Sequence, residues 1–276
     1  MKNIGSSLGI GGLILGMFFF AFSHALAGWE TGVKAGFESN INRSVSDEKS
    51  DSYFSAYLSF AKEAGGKSRI DWNLYASLEG TLFSSLSDLN YGMVQLAPGV
   101  TFFPYPGWTI DLFPFVQAKA VRDSDQSAVA FGGKLGVKQQ IRKNLYAGQY
   151  YIYKDSRAHA DTYSFTENLL GLFLGVNWTP AFFTEFGYEF SRGDSYRTLG
   201  TTSAAFSGRG RYRRVSSIFG SDVIREDVDR HSFGIQLGID WTPSVFSHLS
   251  YTYTTIQGDL GSSVSQAGFI SLGYRF

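Results

Sequence analysis

The sequence predicts an all-β fold: a closed antiparallel up-and-down barrel of about twelve strands that crosses a membrane. After residue 27, apolar and polar residues alternate with a period of two, and Gly-rich or polar connections interrupt them at regular intervals. In the last ten residues, AGFISLGYRF, the apolar face consists of Ile270, Leu272, Tyr274 and Phe276. In water such a strand would be an aggregation-prone edge. We therefore expect it to close the barrel against the first strand, with this face toward lipid.

These four residues resemble the closing-strand signature of bacterial outer-membrane β-barrels. In that superfamily the terminal aromatic strand is also what the barrel-assembly machinery recognises. The resemblance implies the outer membrane of a Gram-negative bacterium and both termini in the periplasm. It implies three kinds of partner: outer-membrane lipid, lipopolysaccharide and, during biogenesis, the assembly machinery. It does not identify a function.

The amino terminus predicts export. Lys2 precedes an apolar stretch, residues 4–22, and Ala25-Leu26-Ala27 forms an Ala-x-Ala site. The alternative is a transmembrane anchor, but this stretch contains five glycines and two serines. We expect a signal peptide over residues 1–27 and a barrel domain over residues 28–276.

Composition excludes several classes of function. The absence of cysteine rules out disulfides and thiolate metal sites. The formal net charge is zero, which does not indicate a nucleic-acid partner. Aromatic residues make up 17% of the chain and there are 32 glycines, as expected for a sheet with interfacial girdles and tight turns. The mean hydropathy of -0.08 averages an apolar face with a polar one.

The alternation predicts which side chains face the lumen. Its charged members are expected to keep the lumen wet; they are Lys34, Asp71, Glu79, Lys134, Lys138, Glu185 and Glu189. Two strands are less clear. Pro114 blurs the parity of the fifth strand and indicates a bulge or local irregularity. The facing of the tyrosine-rich seventh strand, about residues 145–153, stays undecided.

One hairpin occurs twice. Residues 171–190 align with residues 234–253 at a constant offset, and each copy is a strand, a Trp-Thr-Pro turn and a strand. Repeated hairpins are typical of barrels. The sequence predicts twelve strands joined alternately by five short turns and six longer or polar loops, with ten or fourteen strands as alternatives.

No residues assemble a convincing catalytic, cofactor or metal site. His159 lies near Asp155, Ser156, Asp161 and Glu167, at the rim where lipid-modifying barrels keep their sites. A solvated loop histidine explains it as well. Residues 36–42, GFESNIN, resemble first-strand phrases in barrels that export polysaccharide or surface lipoproteins.

The function we expect is a passive channel for small hydrophilic solutes. Small inward residues leave space, and a twelve-stranded barrel lies between filled and open sizes. The alternatives are a closed barrel with a structural, adhesion or export-assembly role, and an outer-rim lipid-modifying enzyme.

The longest connection, residues 191–230, is expected to be functional or disordered. Its arginines are candidate lipopolysaccharide contacts or, if the loop folds across the mouth, an anion-selective ring; the densest group is Arg209, Arg211, Arg213 and Arg214.

Overall fold

A single antiparallel sheet contains every strand that the structure describes. The structure is a computed structural model that describes residues 27–65, 68–199 and 213–276. The strands are β1 (Ala27–Glu38), β2 (Asp51–Lys62), β3 (Ile70–Phe83), β4 (Tyr91–Phe102), β5 (Trp108–Val121), β6 (Ala128–Arg142), β7 (Leu145–Ala158), β8 (Phe165–Thr179), β9 (Phe182–Thr198), β10 (Arg213–Ser216), β11 (Ser221–Asp240), β12 (Val245–Gly258) and β13 (Gly261–Arg275).

The sheet closes on itself. β13 pairs with β1 from Arg275 opposite Glu30 to Ala267 opposite Glu38. Twelve strands form the wall, because β9 pairs directly with β11 while the four-residue β10 pairs only with the end of β11. The predicted twelve-stranded up-and-down barrel is confirmed. Among the described residues, no helix has the length and apolar character needed to cross a membrane.

The predicted facing of the closing strand is also confirmed. Its four apolar side chains point outward and are 45–73% exposed; they are Ile270, Leu272, Tyr274 and Phe276. On the opposite face, Ser271 is only 4% exposed. Closure therefore removes the free edge while leaving an apolar outer surface for lipid.

The irregularity at Pro114 is a gap in hydrogen bonding, with no change of register. Pro114 faces outward and lies at the level of Pro98 on β4, and the β4–β5 ladder is interrupted there. Neither proline has an N–H to donate, so the gap follows directly from their chemistry. In β7 the structure decides the facing: Tyr146 and Tyr150 are buried inward and Tyr151 is exposed outward.

The two ends of the barrel differ. One end, which we name the turn rim, carries the chain ends of β1 and β13 and five short connections: 63–69, 103–107, 143–144, 180–181 and 241–244. The opposite end is the loop rim. All five tryptophans of the sequence lie at the turn rim: Trp29, Trp72, Trp108, Trp178 and Trp241. Four of them are at least half exposed, as in the aromatic belt of a membrane interface.

The repeated hairpin keeps one contact in both copies. The indole N–H of Trp178 donates to Thr184 Oγ1 at 2.9 Å, and that of Trp241 donates to Ser247 Oγ at 2.9 Å. The two copies are the β8–β9 and β11–β12 hairpins, so the repeat builds neighbouring parts of the turn rim.

Two expectations about connections are wrong. The loop-rim connection between β12 and β13 is only Asp259-Leu260, so short and long connections do not alternate throughout. Residues 191–230 are not a structureless loop, because β9 continues to Thr198 and β11 begins at Ser221. Both faces of this extended hairpin contact protein, and the neighbouring residues Val223 and Ile224 are both buried. A strand buried on both faces has no alternating pattern in its sequence.

Candidate functional site

A cavity of about 1420 Å³ opens at the turn rim. We name it the vestibule. Four of the five short connections contribute to its lining, together with Asp240 at the end of β11. It reaches inward to polar side chains on β3, β4, β5 and β6, among them Asn73, Asp111 and Lys138. The turn-rim end of the barrel is therefore a solute-sized space.

The inner end of the vestibule holds a chain of hydrogen bonds. Asn73 Nδ2 donates to Thr101 Oγ1 at 2.6 Å, and Thr101 donates to Asp111 Oδ1 at 2.5 Å. Asn73 is 5% exposed, and its Oδ1 has no partner among the described residues. Asn73 and Thr101 are buried, so Asp111, which is partly exposed, is the member of this chain that a polar solute can reach.

Inward aromatic rings lie flat against the wall. Tyr150 packs on Gly171 and Tyr146 on Gly175, both across the β7–β8 ladder. A Cβ at either glycine would approach the ring within 2.1–2.2 Å, so no other residue fits without displacing it. The same arrangement places Tyr57 on Gly32. These glycines keep bulky side chains from projecting across the lumen.

Four lysines form a strip on three neighbouring strands. The lysine strip consists of Lys119 on β5, Lys134 and Lys138 on β6, and Lys154 on β7, all facing inward and partly exposed. Each ammonium lies over an aromatic ring, at 3.9–5.7 Å from the ring centroid. Cation–π contact holds an ammonium at the wall without removing its charge.

The carboxylates beside this strip are buried. Tyr150 Oη donates to Glu189, and Tyr146 donates to Glu185. Glu189 and Glu185 are 7% and 4% exposed, beneath the tyrosine rings on which Lys134 and Lys138 lie. On this part of the wall the ammonium groups are therefore closer to the lumen than the carboxylates.

Another part of the wall carries a paired charge. Lys34 Nζ binds Glu79 Oε2 at 2.8 Å, and Tyr91 Oη donates to Glu79 Oε1 at 3.1 Å. The predicted inward facing of Lys34, Glu79, Glu185 and Glu189 is thus observed. Sequence reasoning missed Lys119 because Pro114 blurred the parity of the fifth strand. It missed Lys154 because it ended the seventh strand at residue 153, whereas β7 continues to Ala158.

Side chains from several loops meet at the loop rim in one apolar cluster. Its buried members are Ile41, Tyr53, Phe83, Leu89, Ala160, Tyr163, Tyr196, Phe219 and Val223. Leu89 belongs to the β3–β4 connection, and Phe219 to the β10–β11 connection. Six wall strands lie between these two connections in either direction around the barrel. The cluster therefore spans the mouth; we name it, with the β1–β2 connection and residues 191–199 and 215–230, the lid.

Buried polar contacts join the parts of the lid. Asn42 Nδ2 donates to Thr198 Oγ1 at 2.9 Å, and Tyr196 Oη donates to the Ile41 carbonyl at 3.0 Å. Arg197, whose side chain is fully buried, binds Glu226 Oε1 at 2.8 Å and the Gly261 carbonyl at 2.8 Å. The lid is thus packed and hydrogen-bonded like the core of a soluble domain.

The candidate arginines fall at the edge of what is described. Arg209 and Arg211 lie outside the described residues. Arg213 and Arg214 open β10, where their backbones pair with Ile224 and Val223. Of the apolar residues nearby, Phe219 is buried and Val215 is exposed.

The residues near His159 do not come together as a catalytic set. His159 is exposed. The two nearby carboxylates are paired with arginines instead: Glu167 Oε1 binds Arg230 Nη1 at 2.6 Å, and Asp155 binds Arg157 at 3.5 Å. Within the described ranges, no group of three or more His, Asp or Glu side chains is placed to hold a metal ion.

Comparison with solved structures finds outer-membrane channels. The KdgM porin has a TM-score of 0.51 at 8% identity, over 89% of this chain and 99% of that chain. The NanC porin has a TM-score of 0.52 at 13% identity, over 89% and 100%. An outer-membrane channel from Pseudomonas putida F1 has a TM-score of 0.58 at 9% identity, over 90% and 96%.

The chain has the fold of outer-membrane β-barrel channels. No protein-family model matches the sequence, and no curated protein matches it. The resemblance seen in the closing strand therefore agrees with the observed fold, and the likeness at these identities concerns the fold alone. The fold is that of proteins of the Gram-negative outer membrane.

Proposed function

We propose that this barrel is a passive channel for small hydrophilic solutes. The observation that carries the proposal is the vestibule, a cavity of about 1420 Å³ bounded by hydrogen-bonding and charged side chains inside a closed wall. Aromatic rings held flat on glycines keep the lumen from filling. The KdgM porin, which shares the fold, has also been solved in complex with disordered oligogalacturonate, an example of a polar molecule bound by a protein of this fold.

The channel prefers anions. The lysine strip runs along one part of the lumen wall, while the neighbouring Glu185 and Glu189 are buried beneath tyrosine rings. Lys34, on another part of the wall, is neutralised by Glu79. Fixed charge at the lumen surface is what selects ions in a pore of this kind.

Planar-bilayer recording tests both statements. Purified protein is expected to produce discrete conductance steps, and a KCl gradient is expected to give a reversal potential on the anion-selective side. Replacing Lys119, Lys134, Lys138 and Lys154 with Gln removes the strip and should move the reversal potential toward cation selectivity.

The control is the variant with Glu185→Gln and Glu189→Gln. These carboxylates are buried, so their loss should shift selectivity less than loss of the lysines does. A larger shift of the reversal potential in the control than in the lysine variant would show that the carboxylates determine the selectivity. Absence of conductance under all conditions would count against the channel itself, and lipid-modifying activity lost on substituting His159 would favour the enzyme alternative.

The proposal includes an orientation in the membrane. The signal peptide is cleaved after Ala27, both termini and the turn rim face the periplasm, and the loop rim faces outward. The tryptophan belt at the turn rim then lies at the periplasmic interface. Outer-membrane lipid surrounds the wall, the barrel-assembly machinery recognises the closing strand, and Arg209, Arg211, Arg213 and Arg214 contact lipopolysaccharide. Mass spectrometry of the mature amino terminus and protease accessibility in whole cells test these placements.

A further inference from the structure

The loop rim presents a problem for a passive channel. Its apolar cluster spans the mouth, and the residues at its centre are almost inaccessible: Leu89, Phe219 and Val223 are 0–1% exposed. A static mouth of this kind would block solute, because a packed apolar core excludes both water and polar molecules. The lid must therefore change its position if solute passes the loop rim.

We propose that the lid is a gate whose latch is the segment Asn40-Ile41-Asn42-Arg43. The proposal rests on the proposed function, since a gate requires a channel. Asn40, Ile41 and Asn42 end the GFESNIN phrase and Arg43 follows it, and all four lie beyond the end of β1, outside the channel wall. Opening separates the β1–β2 connection from the extended β9–β11 hairpin, and closing restores the contacts between them.

Three of the four latch residues, Asn40, Ile41 and Asn42, are buried, and the side chains of both asparagines are hydrogen-bonded. Asn40 and Asn42 are both 0% exposed. Asn40 Oδ1 accepts from Ser44 N and its Nδ2 donates to the Val264 carbonyl, at 2.9 and 3.0 Å. Asn42 Oδ1 accepts from Lys49 N at 2.9 Å, while its Nδ2 reaches Thr198. Each asparagine thus folds its own connection and ties it to another strand.

Arg43 is where the two halves of the gate meet most closely. Its backbone has φ of 53°, and it is the sole non-glycine residue with positive φ in the described part of the chain. Its guanidinium donates to Ser195 Oγ and lies 4.8 Å from the centroid of the Tyr196 ring. Its carbonyl accepts from Arg197 Nε at 3.2 Å. Switch regions are among the places where surrounding contacts hold a residue in such an uncommon backbone conformation.

A cysteine pair across the latch tests the gate, because the chain has no cysteine of its own. Asn42→Cys with Thr198→Cys replaces two side chains that touch at 2.9 Å. The reduced pair lacks the latch bond. The pair is locked when it is oxidised to a disulfide, or when a short bis-methanethiosulfonate crosslinker forms a reducible disulfide with each cysteine and releases methanesulfinate. Each single-cysteine variant, treated with the same oxidant and crosslinker, is the control.

In planar bilayers, the reduced pair is expected to be open about tenfold more often than the wild type, because about one to two net hydrogen bonds are lost. Crosslinking should abolish the steps and reduction should restore them. A second unlatched variant, Asn40→Ala with Asn42→Ala, should also open more often.

Three results would overturn the gate. Equal conductance in wild-type, reduced and crosslinked protein would show that solute passes without movement of the lid, and the channel would stand. If crosslinked protein opened more often than the reduced pair, the latch contacts would hold the gate open, which is the opposite of the proposal. If no variant conducted, including the two unlatched ones, both the proposed channel and the proposed gate would be refuted.

Discussion

The two rims of this barrel are stabilised by different interactions. At the turn rim, short connections and exposed tryptophans surround an open vestibule. At the loop rim, side chains as polar as Asn40, Asn42 and Arg197 are fully buried, and their partners are backbone groups and the side chains of Thr198, Glu226 and Ser263. The wall at the turn rim is held together by hydrogen bonds between neighbouring strands and presents apolar side chains on its outer face. The lid is stabilised by packing and by polar contacts that substitute for water.

The comparison shows that this chain satisfies its buried polar groups in two different ways, one in the wall and one in the lid. Where strands lie in the membrane, ladder hydrogen bonds satisfy the backbone and alternation separates apolar from polar side chains. Where connections leave the membrane, asparagine side chains imitate strand partners, as Asn42 does for Lys49 and Asp47. Substitutions can therefore damage one end while leaving the other intact.

The largest expected effect is at closure. Phe276 is 73% exposed toward lipid, and its N–H donates to the Trp29 carbonyl at 2.9 Å. Phe276→Asp should abolish assembly, because it puts a charge on the lipid face and removes the aromatic residue expected to be recognised. Heat-modifiable migration in gels measures the folded fraction. Phe276→Tyr keeps the ring and should assemble normally, and equal assembly of the Asp variant would contradict the assignment.

The next effect concerns the lid alone. Arg197→Met leaves Glu226 buried without its partner, which should weaken the lid by about 3–5 kcal/mol. Hydrogen exchange of the amides in residues 191–198 and 221–230 should accelerate while the wall stays protected. Arg122→Met breaks a pair with Asp88 in which both side chains are more than half exposed, and should cost about 0–1 kcal/mol. Similar exchange in both variants would show that the Arg197 pair does not hold the lid.

A smaller effect is expected in the wall. Gly171→Ala places a Cβ 2.2 Å from the Tyr150 ring, so overpacking should destabilise the barrel by about 1–3 kcal/mol. The displaced ring should also lower the conductance. Gly80→Ala is the matched control, because its Cβ would meet nothing within 4 Å. Urea unfolding in detergent compares the two, and equal midpoints would mean that the rings are not held by the glycines.

The smallest effect is a pH dependence at the turn rim. Burial, aided by the Glu30 carboxylate, raises the pKa of Glu63 to about 7, against the opposing influence of Lys138 and Arg275. Glu63 is therefore neutral below pH 7 and negative above it. As pH rises through this value, the added charge in the vestibule should reduce anion selectivity slightly. Reversal potentials between pH 5 and 9 measure the shift, and Glu63→Gln should reduce it.

The barrel wall could be predicted from the sequence because the alternation that defines each strand is a local pattern. Alternation in β3 and β13 assigns each side chain to lipid or lumen, and no other part of the chain is needed to detect it. The same holds for the repeated hairpin, where the Trp178 and Trp241 contacts lie within a few residues of each tryptophan. Part of the tryptophan belt could also have been found, since Trp108, Trp178 and Trp241 border predicted short turns.

Only the tertiary structure decided the lid and the order of charges at the wall. Asn42 and Thr198 are 156 residues apart, and nothing in either neighbourhood indicates the other. The extended hairpin lacks alternation because protein covers both of its faces. Likewise, the sequence predicts both Lys134 and Glu189 as inward charges and does not distinguish them. In the structure the ring of Tyr150, from a third strand, lies between them, so that Lys134 is nearer the lumen than Glu189. Period-two patterns determine a face, whereas depth and partners depend on which strands closure brings together.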